Sequence, residues 1–214
     1  LKKFFNKMST LLSSNIYYSM HQFNTVDKVF SAIKEDTLRT LFLHHGTIEL
    51  EVDTQSETKK ISLKSQQGII ILPGVKLSII ENNSYFIVVQ SIENDKPIID
   101  ITIDDDGIRS EDFINQYKII EKPKTITKPW GHEVWIAWFK NHHVLKKIYM
   151  EEGNKCSLQY HEEKSETNII VSGKANVLKD IKLEDNISEE EALKVYNQIK
   201  NIDNLITSMS AGDY

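Results

Sequence analysis

The sequence predicts an all-β protein, and three observations carry that prediction. From Thr40 onward the apolar residues recur with a period of two: in GTIELEV, Ile48, Leu50 and Val52 alternate with Thr47, Glu49 and Glu51, which is the pattern of a half-buried strand. Further short apolar segments follow, ISL, GIIILPG, KLSII and YFIVVQS, set apart by polar connections such as the hairpin-like DTQSETKK at 53–60. Many short strands with turns between them suggest a sandwich or barrel. After Pro129 a second set begins, EVWIAWF, HVLKKIYM, KCSLQYH, TNIIVSG and KANVLK, so the two halves read as diverged copies of one fold.

Only a few short helices interrupt this pattern. Val26, Val29, Phe30 and Ile33 stand at helical spacing within 25–35, and Ser110 is placed to cap a helical turn running to Tyr117. The best helix is ISEEEALKVYNQIKN at 187–201, where Ser188 and Glu191 make a capping box and Ala192, Val195, Tyr196 and Ile199 form one apolar stripe. The segments ENDKP, DDDG and EKPKTITKP carry turn punctuation between 93 and 129. They place a domain boundary there, with a first domain at 1–122 and a second at 123–214.

Composition limits the function classes. The chain has 214 residues, enough for one large or two small domains, and 40% are hydrophobic, enough for a real core. A net charge of −5 argues against nucleic acid as a main partner. The single cysteine, Cys156, leaves no intramolecular disulfide and fits a reducing compartment, so a cytoplasmic location is expected. No apolar stretch approaches the ~18 residues of a membrane span. The start, LKKFFNKMSTLLSS, lacks the continuous apolar core of a signal peptide and reads as structural. Both ends read as cut, since the first residue is Leu and the second set of strands is short when the sequence stops.

The chemistry concentrates in GNKCSLQYHEEKSETNIIVSG, where Gly153, Gln159, His161, Glu166 and Gly173 keep the spacing G-x5-Q-x-H-x4-E-x6-G. Gln159 and His161 are two apart, so on a strand both side chains leave the same face. Glu166 follows after a polar turn and opens the apolar run Ile169, Ile170, Val171. An amide oxygen, an imidazole nitrogen and a carboxylate suit Zn, Mn, Fe or Co better than a thiolate set would. Glu162 and Glu163 lie in the turn beside His161 and are either solvated or available for proton transfer.

This spacing resembles the first motif of the cupin superfamily, with Gln in place of the usual first His. The wording SLQYH, preceded by KPWG at 128–131, resembles mannose-6-phosphate isomerases and the isomerase domains fused to mannose-1-phosphate guanylyltransferases. The resemblance implies a bicupin of jelly-roll (double-stranded β-helix) barrels with the second barrel truncated. It also implies a divalent metal, Zn first, held by Gln159, His161 and Glu166, with a fourth ligand beyond Tyr214. The implied reaction is a metal-dependent aldose–ketose isomerisation of a small phosphorylated sugar, mannose 6-phosphate to fructose 6-phosphate, for which this stretch alone is expected to be inactive. Lys147 matches a basic residue preceding the motif strand in those isomerases and is the catalytic and substrate-binding candidate. Trp130 is the candidate wall of the sugar site, and a homodimer is the default assembly.

The first half resembles a cupin that has lost its metal. GIIILPGVKLSI at 68–79 resembles the second cupin motif, with Leu77 where a ligand His would stand. Aligning Gly46 with Gly173 puts Arg39 opposite Glu166, and Ala32 and Lys34 opposite Gln159 and His161. The expected job of this half is packing.

Other candidates read as structural. Trp135 and Trp138 suit hairpin and core packing, and His142 and His143 in KNHH read as an exposed hairpin tip. His44 and His45 lack partners at ligand spacing, nothing demands a role for His132, and Cys156 reads as a buried thiol. Lys146 and Lys147 point to opposite faces of a strand, so only one of them faces inward. Neither G-x-G-x-x-G nor a P-loop occurs. Two other readings stand beside the enzyme: a non-catalytic bicupin that binds a sugar or nucleotide sugar, and the isomerase part of a longer nucleotidyltransferase fusion.

Overall fold

The computed structural model describes residues 9–14, 18–23, 34–91, 116–139, 142–156, 166–178, 188, 190–191, 194 and 206–210. Its strands are β1 (Ser9–Ser14), β2 (Tyr18–Phe23), β3 (Arg39–Asp53), β4 (Thr58–Lys64), β5 (Gly68–Ile71), β6 (Lys76–Ser91), β7 (Tyr117–Ile120), β8 (Lys124–Lys128), β9 (Gly131–Trp138), β10 (Val144–Met150), β11 (Lys174–Leu178) and β12 (Ile206–Ser210). The all-β class expected from the period-two segments is what the structure has. The chain divides into two compact units, Leu1–Glu152 and Gly153–Tyr214.

In the first unit β3 organises a seven-stranded sheet with the order β1-β2-β6-β3-β5-β7 and with β4 also paired to β3. One edge of β3 pairs antiparallel with β6 along nearly its whole length; the other is shared, Arg39–Phe42 with β5 and Thr47–Asp53 with β4. Bulges explain which side chains face the core. Leu41 and Leu43 are buried, yet so are Ile48, Leu50 and Val52, which have the opposite parity. The register shift between Leu43 and His45 supplies one extra residue, and one extra residue exchanges the faces of everything beyond it. A second shift passes over Ile80, which is exposed, and flips the core set from Leu77 and Ile79 to Phe86 and Val88. The segments KLSII and YFIVVQS, expected as separate strands, are therefore one strand, because a bulge bends the ladder without ending it.

A second, three-stranded antiparallel sheet with the order β10-β9-β8 completes the first unit. Its β8–β9 turn is Pro129-Trp130, between the paired residues Lys128 and Gly131. Gly131 is required there: its φ is +141°, and a Cβ would lie 2.1 Å from the Tyr149 carbonyl oxygen. His143 ties the turn before β10 to the large sheet, since its ring nitrogens are hydrogen-bonded with Thr40 Oγ1 and Ser91 Oγ, each at 2.9 Å. The expectation of an exposed His142–His143 tip is overturned: His143 is buried and His142 half-buried. Two hydroxyls satisfy the His143 imidazole, so its burial leaves no polar group unmet.

In the second unit β11 and β12 pair antiparallel. The expected strand TNIIVSG does not form a ladder over Glu166–Val171; Ile169 and Ile170 are half-buried and Val171 is exposed. Within the expected strand KCSLQYH, Lys155 and Cys156 are exposed and outside any strand, and the rest lies outside the described residues. Cys156 is thus an exposed thiol and not the buried one expected, because Glu151–Cys156 lies outside any strand and is exposed throughout. Ser188 and Glu191 form the expected capping box: Ser188 N–H and Oγ–H donate to the Glu191 carboxylate at 3.1 and 2.6 Å, and Glu191 N–H donates back to Ser188 Oγ at 3.3 Å. The expected helix at 25–35, apart from the turn at its end, and residues 110–115 of the Ser110–Tyr117 turn lie outside the described residues. Strand β1 lies in the N-terminal stretch LKKFFNKMSTLLSS that the sequence marked only as structural, and β2 follows that stretch.

Candidate functional site

Two clusters of chemistry-bearing side chains stand on the three-stranded sheet of the first unit, one on each face. The ladder pairs Lys147 with Val134 and Thr125, and Tyr149 with His132 and Thr127, so these six share a face. Lys146, Trp135, Ile148 and Glu133 belong to the other. The alternation expected for Lys146 and Lys147 is present.

On the Lys146 face the side chains satisfy one another. The Lys146 ammonium lies 4.4 Å from the Trp135 ring centroid and 5.1 Å from that of Trp138. It also pairs with Glu133 Oε2 at 3.5 Å, and the Trp135 indole N–H donates to the same oxygen at 2.7 Å. Burial pushes the Glu133 carboxyl up, but the Trp135 bond and the charges of Lys146 and Lys128 outweigh it and hold the group below its ordinary range. Trp135 and Trp138 are three apart and would face opposite ways on a regular strand. The shift between Leu145 and Lys146 passes over Ile136 and brings their rings to 4.6 Å. The packing role expected for both is met.

Lys147 is placed differently. It is half-buried, and its Nζ donates to Gln66 Oε1 at 2.8 Å. Burial lowers its pKa from the ordinary lysine value. His44 is nearby: burial first, then the charges of Lys147 and His45, lower its pKa and favour the neutral imidazole. His132 stacks on Tyr149 with centroids 5.0 Å apart. Gln66 and this corner were missed by sequence reasoning. The only local signal was a polar Ser65-Gln66-Gln67 turn, which points to no distant partner.

Trp130 is half-buried in the β8–β9 turn, and its carbonyl accepts from Glu151 N–H at 3.0 Å. In the second unit Glu166 is exposed, so solvent reaches its carboxylate. Gly153 and Gly173, which bracket the motif, have φ of +78° and +80°. Gln159, His161, Glu162 and Glu163 lie outside the described residues. Among the described residues no group of three or more His, Cys, Asp and Glu is placed to hold a metal.

Residues 115–208 match the family model described as mannose-6-phosphate isomerase C-terminal. Over that stretch the chain is similar to the cupin-type mannose-6-phosphate isomerases. The match covers β7 to the middle of β12 and includes KPWG, Lys147 and the whole Gly153–Gly173 motif. Among solved structures the chain is similar to vicilin from Corylus avellana (hazelnut), with 13% identity over 44% of this chain and a TM-score of 0.26. That similarity spans about a third, 34%, of the vicilin chain. No curated protein matches the sequence. No helix among the described residues is long and apolar enough to cross a membrane.

Proposed function

We propose that this protein takes part in metal-dependent aldose–ketose isomerisation of a phosphorylated hexose, mannose 6-phosphate to fructose 6-phosphate, in the cytoplasm. The observation that carries the reading is the family match over 115–208, which encloses the Q-x-H-x4-E spacing. Gln159, His161 and Glu166 would hold the metal, with Zn, Mn, Fe and Co all suited to one amide oxygen, one imidazole and one carboxylate. The accessible Glu166 carboxylate fits that role, since a ligand must be reachable by the cation. A bound dication with one carboxylate ligand supplies Lewis acidity to neighbouring sugar oxygens.

The chain's own residues supply binding and orientation. Lys147 carries a positive charge on a half-buried stem, and a partly desolvated ammonium attracts a phosphate oxygen more strongly than a solvated one. Trp130 would offer an apolar face against the sugar ring. In this reading the repeat at 1–122 has no metal of its own and supports the repeat at 123–214.

The test is a coupled assay for fructose 6-phosphate on the full-length gene product, with and without chelator. Chelation should abolish activity, and so should Gln159→Ala or Glu166→Ala. Full activity in metal-stripped protein would overturn the assignment. Mannose 6-phosphate binding without turnover under metal-replete conditions would instead favour the sugar-binding bicupin.

A further inference from the structure

Gln66 occupies a position whose backbone suits glycine. Its φ is +67°, a left-handed conformation that strains a residue with a Cβ. The turn is tied down from several sides: Gln66 N–H donates to the Leu43 carbonyl at 2.8 Å, Gln67 N–H to Lys64 at 3.0 Å, and Leu43 N–H to Gln67 at 2.9 Å. Ser65 Oγ accepts from Gly46 N–H at 2.8 Å. Glycine at position 66 would keep all these bonds and remove the strain. What glycine cannot supply is the side-chain amide, and that amide is engaged at both ends: Nε2 donates to the His44 carbonyl, and Oε1 accepts from Lys147 Nζ at 2.8 Å across 81 residues of sequence.

The consequence falls on Lys147. A free lysine samples many rotamers, and holding it in one costs side-chain entropy. An amide anchored at its far end removes much of that freedom before a ligand arrives, which lowers the cost of binding. An ammonium has three donors, so the bond to Gln66 leaves N–H groups for a ligand oxygen. Among the described residues the groups placed beside this corner include His44 and His45 from β3 and, on the sheet face of Lys147, His132 and Tyr149.

We propose that Gln66 is a positioning residue: from the first half of the chain it fixes the Lys147 ammonium to receive an anionic, phosphate-type oxygen. The first half then does more than pack, because its Gln66 side chain holds the ammonium of Lys147. The isomerase reading supplies the biological source of that phosphate, whereas the clamp rests on the geometry alone.

The test is competitive labelling of the 214-residue chain with acetic anhydride across pH, with the Lys147 peptide read by mass spectrometry. Gln66→Gly should stay folded, with its melting temperature close to the parent's, and its Lys147 should label faster as the amine leaves the clamp. Gln66→Glu should move the half-labelling pH of Lys147 upward by about one unit, since a carboxylate partner favours the ammonium. Inorganic phosphate should protect Lys147 in the parent and much less in Gln66→Gly. Unchanged Lys147 profiles in both variants would overturn the proposal, as would absence of phosphate protection in the parent. Phosphate protection in a full-length protein without chelator-sensitive isomerase activity would remove the isomerase reading and leave the clamp standing.

Discussion

The first-half segment GIIILPGVKLSI and the second-half segment around Glu166 are built in opposite ways. In the first, Ile69, Ile71, Val75 and Leu77 are all core residues. The residue opposite Glu166, Arg39, is buried at 1% exposure. Its guanidinium donates to the carbonyls of Thr37, Glu35, Leu72 and Val75, the last at 2.6 Å. Burial lowers its pKa to about 10, partly offset by Glu35 and Asp36, so it remains a cation at neutral pH. Glu166 itself is exposed, and Glu166–Val171 forms no ladder. In the first segment side chains pack, and the charge of Arg39 is satisfied by backbone carbonyls. In the second the Glu166 side chain stays reachable by solvent.

The largest break in this comparison should come from Arg39→Ala. It empties a buried volume and strips donors from several carbonyls, so a loss of about 3–5 kcal/mol is expected in urea unfolding. A loss under about 1 kcal/mol would mean that water replaces the guanidinium. Next comes Leu77→His, which places a metal-ligand residue type in the first half. Because position 77 is core, an imidazole there should destabilise by about 2–3 kcal/mol and bring no cation binding by calorimetry; tight Zn binding would contradict the packing account.

His143 should give a pH-dependent effect. Burial, then the neighbouring His142, lowers its pKa from 6.5 to about 3. The unfolded chain therefore binds a proton that the folded chain refuses between those values, and stability is full above pH 6.5 and falls as pH drops toward 3. The slope from this one group is at most about 1.4 kcal/mol per pH unit. His143→Gln should flatten that part of the profile in parallel denaturation series at pH 7 and pH 5, and an unchanged slope would assign the acid sensitivity elsewhere. The smallest effect belongs to Glu166→Ala, which should change stability by no more than roughly 0.5 kcal/mol, as exposed substitutions do. A large loss would show that Glu166 is a folding residue and would blur the contrast between the two halves.

Local patterns predicted the strands they describe. GTIELEV lies wholly on a strand, as do Gly68–Ile71 of GIIILPG, residues 133–138 of EVWIAWF and Val144–Met150 of HVLKKIYM, because alternation or a short apolar run is visible within a few residues. The Ser188–Glu191 box was equally legible, since both partners sit within one turn. Legibility stopped at the bulges. Nothing local marks His44, Ile80 or Ile136 as an extra residue, yet each one exchanges the faces of the residues after it. The exposed reading of His143 failed because its partners, Thr40 and Ser91, are 103 and 52 residues away.

By itself the sequence determined the all-β class, most of the strands, and the motif spacing that carries the family resemblance, because each depends on side chains a few positions apart. Only the tertiary structure decided that Arg39 is held by backbone carbonyls, that His143 is sealed between two hydroxyls, and that Gln66 grips Lys147. Those outcomes depend on which distant strands pair and in what register. A one-residue bulge, nearly invisible in the sequence, is enough to redirect every side chain that follows it.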